Sequence, residues 1–393
     1  MKKILFKKRV KSAAAIMTAA MIAITSTGCG QSGQQQTQSG STSAESSASK
    51  QASVKKERYN AQFLDVFDTV SMEIGYETSE EDFKSRYKDS HDLLLKEHQL
   101  FDIYNDYEGI NNIKTINDNA GVAPVKVDAK LIEFLKWGKE IYTLTNGKLN
   151  IAYGAVLRLW HDKREIGMAD PEKGELPDEE ALKEAAKHTN IDDVIIDEEA
   201  GTVFLKDPEM SLDVGGIAKG YATEDAAKLI EGAGSDSFML NLGGNLRAIG
   251  LKDNKEKWVC PVENPTYRDN QTGDQYAIVT YLDNASLVTS GDYERYYVVD
   301  GERYHHIVDP DTMYPARYHR SVTILTHDSA LADALSTALF CMSVEDGKAL
   351  IKSISEGTSS LGNSERVGRI DAMWIESDGT QEFTEGFSDI TKK

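Results

Sequence analysis

Two side chains in the C-terminal third of the chain have the types and spacing of a site for a hard divalent cation. Asp333 and Thr337 lie four residues apart in a predicted helix, Leu331 to Met342, and therefore project from the same face. A carboxylate and a hydroxyl supply hard oxygen ligands, which suit Mg²⁺ or Ca²⁺. The pair is also typical of an aspartate favoured by the helix dipole beside an incidental threonine, so the spacing leaves both interpretations open.

A glycine turn at Gly215 and Gly216 forms a second candidate site. The alternating segment Met210 to Val214 predicts a strand running into the turn, and apolar residues at helical spacing predict a helix to about Ile230. Backbone amides at such a turn can approach a phosphate, and Lys219 would add a cation in the first helical turn. A Gly-Gly pair before a helix is also common as a simple tight connection.

Two adjacent histidines, His305 and His306, precede the turn sequence Asp309-Pro310-Asp311. Imidazole titrates near neutrality and can serve as a base, an acid or a metal ligand. A pair of histidines that only supports the turn fits the same pattern. The sequence therefore leaves a catalytic and a structural role open.

The elements around these residues indicate an α+β fold. Alternating apolar residues from Leu64 to Tyr76 predict a half-buried strand, while Glu80 to Phe101 and Leu131 to Leu144 predict helices. The segment from Phe101 to Asn119 is predicted as a loop, and Asn150 to Trp160 as the wall of a core or a pocket. Helices do not alternate regularly with strands, which favours antiparallel strands over repeated βαβ units.

The overall composition excludes several classes of function. The chain has 393 residues and a net charge of −20, which argues against binding to nucleic acid or to anionic lipid. It contains no CxxC, HExxH or Walker A motif, so thiolate zinc and zincin chemistry are not expected. Cys260 and Cys341 could form a disulfide or remain buried thiols.

The N-terminus has the layout of a secretory signal. Lysines and arginines precede the apolar run Ala13 to Ile24, and the run ends at Ser26-Thr27-Gly28-Cys29, which resembles a lipoprotein cleavage box. We therefore expect a signal peptide at residues 1–28, a lipid on Cys29 and a flexible tether at residues 29–55. A single domain at residues 56–393 would then lie on the extracytoplasmic face of the cell membrane. An ordinary secretory signal is the alternative.

Four motifs, in this order, resemble those of the ApbE family of FAD:protein FMN transferases: DVGGIAKGYA, NLGGN, HHIVDPDT and DALSTAL. The resemblance covers the chain from about Leu64 onward, and four ordered motifs are more specific than one. It implies a single large α+β domain with an antiparallel sheet and flanking helices. Members are bacterial and often lipoproteins or periplasmic proteins, in agreement with the predicted signal.

The resemblance also implies a set of site residues. Mg²⁺, or Ca²⁺ in its place, is expected on the Gly216 carbonyl, Asp333 and Thr337. His306 and Asp333 are the residues expected to act in the transfer. The residues expected to bind FAD are Phe67, Tyr104, Ala152, Tyr153, Gly154, Lys219, Glu224 and Ile307.

The implied reaction is the attack of a Thr or Ser hydroxyl of an acceptor protein on the FMN-side phosphorus of FAD, with AMP as the leaving group. A neutral His306 could take the hydroxyl proton, or activation by the metal could suffice. Expected acceptors are FMN-binding domains of extracytoplasmic redox systems. The alternatives are a Mg²⁺-dependent FAD pyrophosphatase and a lipoprotein that only binds flavin.

Four residues, in three segments of the chain, depart from the family pattern. The usual Met-Gly-Thr is Phe67-Asp68-Thr69 here, the usual Gly after the DPxT sequence is Met313, and the acidic residue five beyond Lys219 is Glu224 rather than Asp. None of these changes removes an expected metal ligand. They affect the expected fit of the substrate more than the chemistry.

Overall fold

An antiparallel sheet of eight strands organises the part of the chain that the computed structural model describes, residues 55–357 and 368–392. The predicted signal peptide, Cys29 and all but the end of the tether lie outside these residues. In spatial order the strands are β1 (Glu57–Phe63), β2 (Ser71–Glu77), β6 (Ser237–Leu242), β7 (Asn245–Gly250), β10 (Ser286–Gly291), β15 (Ser321–Thr326), β16 (Asp371–Ile375) and β17 (Gln381–Phe383). Every neighbouring pair in this order is antiparallel.

Smaller ribbons accompany the main sheet. They are formed by β3 (Val125–Lys126), β4 (Val194–Asp197), β5 (Thr202–Leu205), β8 (Trp258–Glu263), β9 (Tyr276–Leu282), β11 (Tyr296–Val299), β12 (Glu302–His305), β13 (Val308–Asp309) and β14 (Tyr314–Pro315). The ribbon of β13 and β14 carries the turn that follows the two histidines.

Nine α-helices are found within the described ranges. They are α1 (Glu80–Phe101), α2 (Ile113–Asp118), α3 (Ala129–Leu144), α4 (Gly154–Ala169), α5 (Glu179–Ala185), α6 (Ala218–Gly232), α7 (Pro265–Asn270), α8 (Ser329–Phe340) and α9 (Val344–Ser355). None of them is both long enough and apolar enough to cross a bilayer.

Helix α8 is the central helix of the main core. It packs on β10 and β15 on one side and on α6 on the other, and nearly all of its residues are buried. Its N-terminus is capped by Asp328, whose carboxylate accepts a hydrogen bond from the Leu331 amide at 2.9 Å. Because a helix enclosed by apolar neighbours has little freedom to rotate, the side chains of α8 are held in fixed directions.

The predicted α+β architecture with an antiparallel sheet and flanking helices is confirmed. Helix α1 has the predicted bounds, with Ser79 as its N-cap and acidic residues in its first turn. The prediction of one strand across Leu64 to Tyr76 is wrong in its first half. Strand β2 begins only at Ser71, and the Leu64 side chain is 70% exposed, because the chain turns at residues 66–69 before it enters the sheet.

Candidate active site

The segment before the glycine turn, residues 210–214, joins none of the strands of the structure. The Asn117 side chain accepts a hydrogen bond from the Leu212 amide at 2.7 Å and donates one to the Leu212 carbonyl at 3.0 Å. The Asp213 amide donates to the Ile151 carbonyl at 2.9 Å. The predicted strand is therefore wrong. The backbone groups of this segment form hydrogen bonds with the Asn117 side chain and with a loop carbonyl. The segment therefore does not need to pair with a neighbouring strand.

Helices α6 and α8 touch at Gly220, in the glycine motif. The Gly220 amide donates a hydrogen bond to Asp333 Oδ2 at 2.8 Å. A Cβ atom at Gly220 would lie 2.3 Å from the Asp333 Cβ and 2.4 Å from the Ser329 carbonyl oxygen. Any other residue would separate the two helices. The fold thus brings the glycine motif into direct contact with the D-x-x-x-T helix, although the two are more than a hundred residues apart in sequence.

The glycine turn also meets Thr337. A Cβ atom built on Gly216 would lie 3.7 Å from Thr337 Oγ1. In a regular helix the Gly220 amide would donate to the carbonyl four residues earlier, which is that of Gly216. Because it donates to Asp333 instead, the Gly216 carbonyl accepts no hydrogen bond from the residues that the structure describes.

Asp333 and Thr337 both approach the glycine segment, and with the Gly216 carbonyl they offer the oxygen types that suit the predicted cation. Asp333 is 3% exposed, and its Oδ1 lies 3.7 Å from Lys219 Nζ. One carboxylate, one hydroxyl and one carbonyl leave coordination positions for water and phosphate oxygens, as Mg²⁺ requires. The described ranges hold no cluster of three or more His, Cys, Asp or Glu side chains suited to a metal. The oxygens of Gly216, Asp333 and Thr337 therefore form a set suited to a cation shared with a phosphate ligand.

Lys219 and Glu224 lie on the same helix but have different surroundings. Lys219 is in the first turn of α6, which has no side-chain cap, and its ammonium faces Asp333. The Glu224 carboxylate is buried, where it accepts hydrogen bonds from Arg247 Nε at 3.3 Å and from the Ser329 amide at 2.9 Å. Glu224 thus supports the beginning of α8, while its expected role in binding FAD stays a prediction.

The two adjacent histidines have different environments. Both ring nitrogens of His305 are bonded to backbone: Nε2 donates to the Ala316 carbonyl at 2.8 Å, and Nδ1 accepts from the Ile307 amide at 3.2 Å. His306 Nδ1 is buried and has no hydrogen-bond partner in the described part of the chain. Burial lowers the pKa of His306 well below its usual value, with Arg295, His305 and Arg164 adding to the effect. His305 therefore supports the turn, whereas His306 presents a free neutral nitrogen.

His305 predicts a loss of stability in mild acid. Burial lowers the pKa of its imidazole to about 4 from the ordinary 6.5. The folded state then binds fewer protons than the unfolded chain between these values, so stability falls as the pH falls from 6.5 to 4, by about 3 kcal/mol. Urea unfolding at pH 7 and pH 4 should show a decrease that is about 3 kcal/mol smaller in His305→Gln than in the wild type. Equal decreases in the two proteins would contradict this assignment.

A cavity of about 300 Å³ opens beside the glycine turn. Its lining includes Tyr104, Gly154, Arg158, His161 and Asp213. The Tyr104 side chain is 55% exposed, and its ring lies 5.3 Å from that of His161 at an interplanar angle of 31°, so two aromatic rings line the cavity. A larger open groove of about 910 Å³ runs along α9 and the turn between β16 and β17, but it contains none of the predicted site residues. The smaller cavity is therefore the candidate substrate pocket.

Of the expected FAD-binding residues Ala152, Tyr153 and Gly154, Gly154 lines this cavity. The Gly154 amide donates to the Ser211 carbonyl at 3.0 Å, which fixes the wall against the segment before the glycine turn. Ala152 and Tyr153 are buried, and the Tyr153 hydroxyl donates to the Pro310 carbonyl at 3.4 Å. Ile307 is buried in the same turn region and accepts a hydrogen bond from the Ala316 amide. Their contacts with a flavin stay predictions.

A chain of hydrogen bonds connects the predicted flavin residues Phe67 and Tyr104. The Phe67 amide donates to His98 Nδ1 at 3.2 Å, and His98 Nε2 lies 3.3 Å from the Tyr107 hydroxyl. That hydroxyl donates to Asp102 Oδ2 at 2.7 Å, and Asp102 Oδ1 accepts from the Tyr104 amide at 2.6 Å. Two segments of the predicted pocket, 37 positions apart in sequence, are thereby coupled through α1.

Asp68 stands where the family pattern has glycine, and its backbone explains why glycine suits the position. Phe67 and Asp68 both have positive φ angles, 52° and 50°, at the centre of the turn closed by the Thr69 amide and the Val66 carbonyl. Met313, the other position where glycine is usual, has φ 62°. Since side chains disfavour this region, Asp68→Gly should raise the free energy of unfolding by about 0.5–1 kcal/mol.

Asp68→Ala is the matched control for that prediction. Alanine keeps a Cβ atom and lacks the short polar side chain that helps aspartate tolerate this conformation, so it should lower the stability. Chemical unfolding of both variants measures the difference. The strain argument fails if the alanine variant is as stable as the glycine variant.

Several residues that build the site were not singled out by the sequence analysis. Asn117, Asp102 and His98 hold its backbone segments in place, and Arg164 contributes positive charge near His306. None of these residues belongs to one of the four motifs. Cys260 and Cys341 are both buried free thiols, so the disulfide alternative is excluded.

Comparisons with known proteins agree with this geometry. The sequence profile of the ApbE family matches residues 70–361. The FAD:protein FMN transferase of Treponema pallidum is 36% identical over 256 residues, which cover 61% of this chain and 67% of that protein. The FAD:protein FMN transferase of Klebsiella pneumoniae is 32% identical over 272 residues, covering 67% of this chain and 80% of that protein.

Solved structures show the same fold. The ApbE protein from Thermotoga maritima superposes with a TM-score of 0.71 at 29% identity, covering 86% of this chain and all of that one. The flavin transferase ApbE from Vibrio cholerae gives a TM-score of 0.67 at 24% identity, over 85% of this chain and 99% of that one. Given the extent of the profile match and the motifs that the fold brings together, the chain belongs to the ApbE family.

Proposed function

We propose that this protein transfers the FMN moiety of FAD to a Thr or Ser hydroxyl of an acceptor protein and releases AMP. The observation that carries the proposal is the contact of the glycine turn and Lys219 with Asp333 and Thr337 beside a pocket that contains Tyr104. It is supported by the relatives named FAD:protein FMN transferase. The proposed site combines oxygens for a cation, positive charge for phosphate and a surface for an aromatic ring.

The proposed reaction balances without an additional reactant. The acceptor oxygen forms a bond to the phosphorus on the riboflavin side, and the bond from that phosphorus to the bridging oxygen breaks. AMP leaves with the bridging oxygen and its electron pair. The hydroxyl proton moves to the neutral imidazole of His306, whose low pKa keeps it unprotonated near pH 7.

Charge neutralisation is the main requirement of such a reaction. Gly216, Asp333 and Thr337 would hold Mg²⁺, which would supply positive charge to the diphosphate when bound. Lys219 lies beside Asp333 and contributes a second cation at the same place. In a chain with a net charge of −20, this local arrangement offsets the repulsion that a diphosphate would otherwise meet.

We further propose that the protein is anchored by a lipid on Cys29 to the extracytoplasmic face of the cell membrane. The sequence before Cys29 supports this, with a basic segment, an apolar run and small residues. Acceptors would then be proteins with FMN-binding domains in extracytoplasmic redox systems. Metabolic labelling with palmitate tests the anchor: Cys29→Ser should lose the label, and a labelled variant would contradict the proposal.

The function is tested by incubating the protein with FAD, Mg²⁺ and a purified extracytoplasmic FMN-binding domain. Flavin fluorescence on the denatured acceptor, together with an equivalent amount of AMP, is the expected result. Free FMN and AMP with an unlabelled acceptor would identify a pyrophosphatase. Unchanged FAD would identify a flavin-binding protein without activity.

A further inference from the structure

The arginines of the described ranges divide into two groups by their ion pairs. Those with a carboxylate partner within 4 Å are Arg86, Arg247, Arg268, Arg303, Arg317, Arg320 and Arg369. Arg58, Arg158, Arg164 and Arg295 form no ion pair with the residues that the structure describes. In an acidic protein, an arginine without a carboxylate partner is a candidate for binding an external anion.

Three of these four unpaired arginines lie around the candidate pocket. Arg158 is part of the lining of the cavity itself. Arg164, in the third turn of α4, donates a hydrogen bond from Nη2 to Nδ1 of His161, which also lines the cavity. Arg295 lies just before β11, which packs against α4, the helix that carries Arg164, and both charges act on the imidazole of His306. The fourth, Arg58, lies on β1 at the edge of the sheet.

Arg164 and Arg295 are close enough to repel each other. Burial lowers the pKa of Arg164, and the positive charge of Arg295 lowers it further. Glu165 and Asp213 act in the opposite direction, but neither forms an ion pair with Arg164. A partly buried cation beside a second cation raises the free energy of the protein without ligand. A bound anion would lower that free energy, because it would be attracted to both positive charges.

The position of the pair relative to the other charged groups indicates which anion it binds. The cavity that His161 lines is also lined by residues 211–213, which lead into the glycine turn, and Lys219 after that turn faces Asp333. The positive charges of Arg164, Arg295 and Lys219 also act on His306. A single anion held between these groups would lie next to both His306 and the cation oxygens. Of the groups in FAD, only the diphosphate carries negative charge.

We propose that Arg164 and Arg295 bind the diphosphate of the dinucleotide substrate, together with Lys219 and alongside the oxygens of Gly216, Asp333 and Thr337. This inference rests on the proposed function for the identity of the dinucleotide. It adds two substrate-binding residues outside the four family motifs. Guanidinium groups suit the role because they stay charged and donate paired hydrogen bonds to phosphate oxygens.

The test compares flavins with and without phosphate. Arg164→Gln, Arg295→Gln and the double variant are made in the full chain, with Arg58→Gln as a control that removes one positive charge away from the pocket. Quenching of flavin fluorescence measures the Kd of FAD and of riboflavin. Each single variant should bind FAD about 10-fold more weakly, and the double variant more weakly still. Riboflavin affinity should stay within about 2-fold of the wild type in all variants.

Three results would overturn the inference. One is an equal loss of FAD and riboflavin affinity, because that would mean a structural role for the arginines. Another is an FAD affinity that is as strong in the double variant as in Arg58→Gln. The third is an unchanged FAD affinity with a raised KM for the acceptor protein, which would assign the arginines to a carboxylate of the acceptor.

The binding experiment is independent of the transfer reaction. If the wild type binds FAD but labels no acceptor, the proposed function fails. The change in FAD affinity relative to riboflavin affinity in the variants still decides the role of the arginines. If the wild type labels the acceptor and the arginine variants bind FAD normally, the function stands and this inference fails.

Discussion

Asp333→Asn is expected to lower the rate of flavin transfer by about 10²–10³-fold. Asp333 supplies the only carboxylate of the proposed ligand set, which also contains the Gly216 carbonyl and the Thr337 hydroxyl, and Mg²⁺ is held chiefly by charged oxygen ligands. Asparagine keeps the size of the side chain and an oxygen that can accept from the Gly220 amide. Transfer is measured as flavin fluorescence on the acceptor across a range of Mg²⁺ concentrations.

Asp328→Asn is the matched control for this prediction. It removes a carboxylate from the N-cap of the same helix, and asparagine is an equally good cap, so both activity and stability should stay near the wild-type values. Chemical unfolding shows whether Asp333→Asn is still folded. A folded Asp333→Asn protein with the wild-type rate and the wild-type Mg²⁺ dependence would exclude Asp333 as a cation ligand.

His306→Ala is expected to slow transfer by about 10²–10⁴-fold while FAD affinity stays close to that of the wild type. The proposed role as a base requires a neutral imidazole, and the residues that the structure describes leave Nδ1 of His306 without a hydrogen-bond partner. Because burial lowers the pKa of His306, the wild-type rate should stay level as the pH falls through 6.5 and decrease only at lower pH, where the base becomes protonated. Stopped assays from pH 5 to pH 8 measure this profile.

His305→Gln separates catalysis from support of the turn. Both ring nitrogens of His305 are bonded to backbone, so its replacement should cost stability and leave the rate per folded molecule nearly unchanged. Added imidazole should partly restore transfer in His306→Ala and have no effect on His305→Gln. Equal losses of FAD affinity and rate in His306→Ala, without rescue by imidazole, would identify a structural histidine.

Much of the fold and the centre of the site follow from the sequence because they depend on local patterns. Helix α1 shows its N-cap, its acidic first turn and its apolar spacing directly in the residues, and its bounds agree with the prediction. Asp333 and Thr337 are at helical spacing, so their common direction is also local information. Their approach to Gly216 is not local, and the sequence predicts it only because the four motifs resemble those of one family. The hydrogen bond from Gly220 to Asp333 was not predicted.

The parts that could not be predicted depend on contacts between distant residues. Residues 210–214 alternate like a strand, yet Asn117 satisfies their backbone, and no feature of Asn117 in the sequence indicates this role. The pairing of Arg164 with Arg295 depends on how α4 packs near β11, which two isolated arginines in a sequence do not show. Likewise, the buried Glu224 has the residue type of a ligand but lies against Arg247.

The contact at Gly220 has a consequence for how readily the site accepts a ligand. The hydrogen bond from the backbone amide orients the Asp333 carboxylate in the folded protein before any ligand is present. The rotational entropy of this side chain is thus lost during folding. The free energy of ligand binding therefore does not contain this entropy loss a second time. An amide also keeps its proton at every pH at which the protein is folded, so the aspartate stays preorganised even where neighbouring groups titrate.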